Sequence, residues 1–182
     1  MTDQNIQLIT LEEATASAFF DLIERNRDYI ADGFPRTVNQ VKSLTDAESL
    51  FKEYEDWQDH LEGFYFFIKE ENSLIGHMHI KNINNYASKC ELGYFIDKEY
   101  AGMGITSKSI NQLLDFCYDK LEMNKVYICT NPENVGSQKV ALKNGFIKEG
   151  VLREEYKYPN GDVNDVVYFG KLKSEHQSAK TT

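Results

Sequence analysis

The chain has 182 residues, 20 of them basic and 29 acidic, for a formal charge of −9. That length supports one domain with a sizeable core. No run of about 18 apolar residues exists to span a membrane, and the acidic balance argues against direct nucleic-acid binding, which needs a basic footprint. The first residues, Met1 to Asn5, lack the basic region and apolar core of a signal peptide. Cys90, Cys117 and Cys129 have neither metal-ligand spacing nor a disulfide framework. Buried thiols in a reducing cytoplasm are therefore expected, with no membrane association.

Ile6 to Ile9 reads as a short strand. Thr10-Leu11-Glu12-Glu13 has capping-box spacing, and Ala14, Ala18, Phe19, Leu22 and Ile23 follow as one helical face. Asp32-Gly33-Phe34-Pro35 breaks that pattern. A second helix is predicted from about Leu44 to Leu61, with Phe51, Tyr54 and Trp57 on its core side. Phe64 to Lys69, Leu74 to Ile80 and Cys90 to Asp97 then read as strands. Their short connections predict antiparallel neighbours.

An amphipathic helix carries Ile110, Leu113, Leu114, Cys117, Tyr118 and Leu121. The strand after it, Lys125 to Asn131, is expected parallel to Cys90–Asp97 because a helix joins them. Asn134 is the predicted N-cap of a helix ending before Gly145. Phe146 to Leu152 and Val163 to Leu172 close the sheet. The polar tail from Ser174 to Thr182 is expected to be disordered, leaving a domain of residues 1–173. The fold class is α/β, one domain around a single mixed sheet.

Strand, glycine turn and helix start meet at Gly102-Met103-Gly104. Two glycines let backbone approach a ligand, and unpaired amides at a helix start favour an anion, so the turn reads as a pyrophosphate cradle. A dinucleotide fingerprint needs a third glycine where Ser107 stands, and a P-loop needs a Gly-Lys-Ser/Thr run that is absent.

Element order and motifs resemble the GCN5-related N-acetyltransferases (GNATs), whose pyrophosphate turn reads Gln/Arg-x-x-Gly-x-Gly/Ala. Here it reads Glu99-Tyr100-Ala101-Gly102-Met103-Gly104, with Glu99 departing from the pattern. Glu91 to Ile96 before the turn, Gly102 to Thr106, and Asn131 to Phe146 are similar to the RimJ/RimL branch, which acetylates ribosomal-protein N-termini. The resemblance implies a mostly antiparallel sheet with a V-shaped splay between two parallel strands. It also implies acetyl-CoA as co-substrate, and direct attack by a primary amine, either a protein N-terminus or a small amine. The cofactor would contact Phe95, Ile96, Gly102, Met103, Gly104, Ile105, Thr106, Asn131, Asn134 and Ser137.

Acetyl transfer needs the thioester held, the ammonium deprotonated and the departing thiolate stabilised. Glu91 shares a strand face with Gly93 and Phe95 and would accept the proton through water. His77 or His79, titrating near neutrality, is the alternative base. The resemblance places the Ser137 hydroxyl near the sulfur. No metal site is expected. Tyr29 to Leu61 and the turn from Tyr156 to Gly161 would wall the acceptor. A catalytically weak acyl-CoA-binding regulatory module is the rival from another class, and a homodimer is the expected assembly.

Overall fold

The computed structural model describes residues 5–180. The reading of the first four residues, and of the last two in the tail, lies outside them. The strands pair in the order β1-β2-β3-β4-β5-β7-β6. Two compact units divide the chain, Met1–His79 with Tyr94–Ile105, and Ile80–Gly93 with Thr106–Thr182. Strands β3 (Ser73–Asn84) and β4 (Lys89–Ile96) contribute residues to both.

In the first unit β1 (Ile6–Thr10) pairs antiparallel with β2 (Phe64–Glu70). Helices α1 (Ala16–Ile30) and α3 (Leu44–Asp59) bury Phe19, Leu22, Ile23, Leu50 and Phe51 in one cluster with Phe67 and Phe95. Tyr54 is buried there too and Trp57 packs on its edge, so the aromatic side of α3 is core, as its spacing predicts. The capping box forms only in part. Glu13 reaches back to the Thr10 amide at 2.9 Å, but α1 starts later, capped by Thr15, whose hydroxyl accepts from the Ala18 amide at 3.2 Å. The Asp32–Pro35 break also opens a short helix, α2 (Pro35–Gln40), with Pro35 at a first-turn position where its missing N–H costs nothing. Arg27 ties it to α1 through the Val38 and Val41 carbonyls, both at 2.7 Å.

In the second unit α4 (Ile105–Asp115) ends in a wider π-helical turn, Phe116–Lys120, where the Leu121 amide donates to the Phe116 carbonyl. This helix face buries Ile110, Leu113, Leu114, Cys117 and Tyr118. Strand β5 (Lys125–Thr130) runs parallel to β4 and antiparallel to β7 (Val163–Leu172), which pairs in turn with β6 (Ile147–Lys157). Cys90 and Cys117 are buried and Cys129 half-buried, all with free thiols.

Helix α5 (Val135–Lys143) closes as the sequence predicts. Gly145 takes φ +76°, its amide donates to the Leu142 carbonyl at 3.0 Å, and the Phe146 amide donates to Ala141 at 3.1 Å. That bond pair is a Schellman cap, and the buried Phe146 supplies its apolar contact.

The tail corrects the expectation of disorder, because Lys173–Lys180 form a helix, α6. No apolar stripe announces it. Its anchors are polar: Glu175 accepts from the Leu172 amide at 2.8 Å, and buried His176 meets the Asp115 carboxylate at 2.6 Å beside the Tyr118 ring.

Candidate active site

The approach to the glycine turn is fixed from one side. Asp97, only 3% exposed, follows β4 and takes Arg25 of α1 at 2.5 Å. Its other oxygen accepts the Glu99 amide at 3.1 Å, and the Lys98 amide donates to Asn26 of α1 at 3.0 Å. Burial works to raise the Asp97 pKa. The Arg25 bond, the Glu99 amide and Asn26 outweigh it and hold the carboxyl below its ordinary range. Asp97→Ala would strip these donors of their acceptor. An expected loss of about 2 kcal/mol follows, read by urea unfolding.

A short 3-10 turn, Lys98–Tyr100, then delivers Gly102 at φ +80° and Gly104 at φ +82°, which L side chains rarely adopt. A Cβ on Gly102 would meet nothing within 4 Å, so its face is open and only the backbone conformation demands glycine. Gly104 sits just before the first residue of α4, where a serine or aspartate would cap the helix amides with its own oxygen. Glycine brings no such oxygen. Ile105 and Thr106 turn their side chains inward at 8% exposure each, and Met103 is exposed. The turn thus offers main chain to an anion, which fits a pyrophosphate. Glu99, where the family carries Gln or Arg, is exposed.

The parallel ladder of β4 and β5 is short. It pairs Lys89, Cys90 and Glu91 with Lys125, Val126 and Tyr127, then stops. Strand β5 continues to Thr130, where its pairing with β7 persists. The ladder ends at the place where the resemblance expects the two parallel strands to part. In the first unit Phe95 buries its ring against Phe34 and His77, at centroid distances of 4.9 and 5.5 Å. Any contact it makes with a pantetheine arm would come from its backbone. Ile96 is the last residue of β4 and half-buried.

Beyond β5, Asn131 organises the chain. Its side-chain oxygen accepts the Glu133 amide at 2.9 Å, its carbonyl accepts the Asn134 amide at 3.0 Å, and its Nδ2 donates to the Tyr158 hydroxyl at 3.3 Å. Asn134 caps α5 by accepting the Ser137 amide at 2.9 Å. Ser137 therefore stands in the first turn of α5, half-buried.

Glu91 is held across the β3–β4 hairpin. Asn82 donates to one carboxylate oxygen at 2.7 Å, and the Lys81 ammonium lies 3.3 Å from the other. On β5, burial and then the Glu91 charge push the Cys129 thiol up to about 12. It stays protonated and is no nucleophile at neutral pH.

His77 departs from the sequence expectation. Burial alone pulls its pKa down to about 3, so it does not titrate near neutrality. The ring is fully buried among Phe19, Tyr54, Phe67 and Phe95. It belongs to the core and cannot serve as a neutral-pH base. His79 is half-buried, edge-on to Phe34 at 5.8 Å.

A family model described as an acetyltransferase (GNAT) domain matches residues 5–147. The chain belongs to the GNAT family. It is 29% identical to the putative ribosomal N-acetyltransferase YdaF of Bacillus subtilis, over 98% of this chain and 97% of that one. It is 25% identical to the ribosomal-protein-serine acetyltransferase of Escherichia coli, over 93% of each. A solved RimL structure with bound coenzyme A superposes with a TM-score of 0.83 at 20% identity, covering 96% of this chain and 97% of RimL. The protein is accordingly a GNAT N-acetyltransferase with acetyl-CoA as co-substrate, of the RimJ/RimL type.

Several groups around the GNAT motifs escaped sequence reading. Lys81 and Asn82 were legible in principle, since the hairpin turn centred near Tyr86 sets them opposite Glu91. Tyr158 had no signal, because its partner Asn131 lies 27 positions away, across helix α5 and strand β6.

Proposed function

We propose that this acetyltransferase modifies the α-amino group of a protein N-terminus, with a ribosomal protein as the first acceptor to test. The glycine turn opening α4 carries the cofactor half of the reading. Relatives named for ribosomal acetylation, matched over nearly their whole length, support the acceptor half. The charge of −9 favours a cationic acceptor by steering. We place the protein in the cytoplasm as a homodimer; among the described residues no helix is long and apolar enough to cross a membrane.

In this reading the main chain of Gly102, Met103, Gly104, Ile105 and Thr106 takes the pyrophosphate. The parted strand ends, with Phe95, Ile96 and Asn131 contributing backbone, take the pantetheine arm, and Asn134 orders the turn that presents Ser137. The bound thioester supplies the acetyl group. Glu91 draws a proton from the incoming ammonium through water. The freed amine attacks the acyl carbon directly, forming the C–N bond as the C–S bond breaks. The Ser137 hydroxyl donates to the departing sulfur, and the nitrogen's remaining proton ends there, leaving neutral amide and free thiol.

Isothermal titration with acetyl-CoA, beside NAD, tests the cofactor half, and binding of acetyl-CoA alone is expected. Peptides copying ribosomal-protein N-termini, spermidine and amino sugars are then compared by thiol release. Turnover with a peptide at least tenfold above the small amines supports the acceptor. Preference for a small amine sinks the N-terminus, and acetyl-CoA binding without turnover on any amine restores the regulatory-module rival.

A further inference from the structure

Asn144 is the residue after α5, 6% exposed, and every hydrogen-bonding group it owns is engaged. Its Oδ1 accepts from Asn111 of α4 at 3.1 Å. Its Nδ2 donates to the Ser107 hydroxyl of α4 at 3.1 Å and to the Val140 carbonyl of α5 at 2.7 Å. Its amide donates to Val140 and Ala141, and its carbonyl accepts from the buried Lys171 ammonium at 2.6 Å. Ser107 lies in the first turn of α4, two residues past Ile105. Asn111 also donates to the Ser107 carbonyl at 3.0 Å, closing the network on that turn.

On the cofactor reading above, two helices bring different groups to one ligand. The start of α4 brings pyrophosphate amides, and the first turn of α5 brings Asn134 and Ser137. A cap at the far end of α5 needs none of these contacts to α4, because the Schellman bonds already close the helix. An alanine or leucine there would suffice for capping alone.

We propose that Asn144 is a positioning residue that yokes the first turn of α4 to α5, setting the spacing between the pyrophosphate end of acetyl-CoA and its thioester end. This rests on the cofactor reading above. A fully satisfied side-chain network of this kind specifies one geometry, where an apolar contact would tolerate sliding.

The yoke separates two probes. Acetyl-CoA engages both helices, whereas 3′-phospho-ADP carries the pyrophosphate and stops there. With the full chain, Asn144→Leu is expected to weaken acetyl-CoA at least tenfold by calorimetry while 3′-phospho-ADP stays within twofold. Ser107→Ala removes one strand of the yoke without touching the core and should weaken acetyl-CoA about threefold, again sparing the fragment. It keeps the test open if the leucine variant fails to fold. Equal losses for both probes mean general loosening and overturn the inference. Unchanged acetyl-CoA affinity in both variants overturns it as well. Failure of the wild-type chain to bind acetyl-CoA removes the cofactor reading itself, and the yoke with it.

Discussion

Glu91→Gln is expected to lower turnover about a hundredfold while acetyl-CoA affinity holds, the size typical of losing a positioned general base. Glutamine keeps the shape and can still accept from Asn82, so the hairpin survives. The proton acceptor is what disappears. Lys81→Met supplies the contrast, because it breaks the same ion pair yet leaves the carboxylate in place. Turnover within about threefold of wild type in Lys81→Met, against collapse in Glu91→Gln, assigns the chemistry to the carboxylate. Equal loss in the two variants makes the pair a structural strut and returns the role of base to another group. Among the histidines weighed from sequence, only His79 would remain eligible.

Acid will destabilise the chain well above the carboxylate range, because of His77. The sign follows from where the proton goes. Unfolded, the imidazole takes a proton below pH 6.5; folded, it resists until about 3. The unfolded state therefore binds more protons between those values, and stability falls as pH drops through the window. By pH 5 the loss relative to pH 8 is about 2 kcal/mol from this ring. Among the described residues neither ring nitrogen has a hydrogen-bond partner, so nothing in the core compensates a charge.

Other groups contribute too. His60 is raised by the Asp56 carbonyl and carboxylate, which acts in the opposite direction but at the surface. Asp97 loses its contribution only as pH falls below the ordinary aspartate range. The difference between wild type and His77→Phe isolates the ring. Urea unfolding at pH 8 and pH 5 should show the gap shrinking by about 2 kcal/mol in the variant. An unchanged gap would mean the core opens to hydrate His77 before it charges.

Period and punctuation made most of the architecture readable. Alternation marked the strands, the apolar face of α4 gave its length, and Asn134 with Gly145 bracketed α5 to the residue. The misses share a cause. Helix α6 is polar all round, and its long-range anchors are polar, among them the imidazole–carboxylate contact with Asp115, 61 positions upstream. Helix α2 was hidden because Pro35 both ends one pattern and opens another. The His77 half of the histidine reading failed because β3 is buried continuously from Leu74 to Met78, so alternation gave no hint that this ring packs among aromatic rings. At the site, backbone features were legible from glycines, while side-chain partners such as Tyr158 and Asn144 depend on pairings that no local window contains.

The strand order also dictates a sequence of events. Strand β7 comes last in the chain yet lies between β5 and β6, and its six pairs with β5 join segments about forty residues apart. Until that segment arrives, β5 has a bare edge and β6 has no ladder at all. Contacts of such long span close slowly, and they expose unpaired edges while they wait. Assembly of the second unit is thus gated by its C-terminal strand. Substitutions in β7 that leave the finished fold intact would still act on the yield of folded protein, by lengthening the time those edges stay open to neighbouring chains.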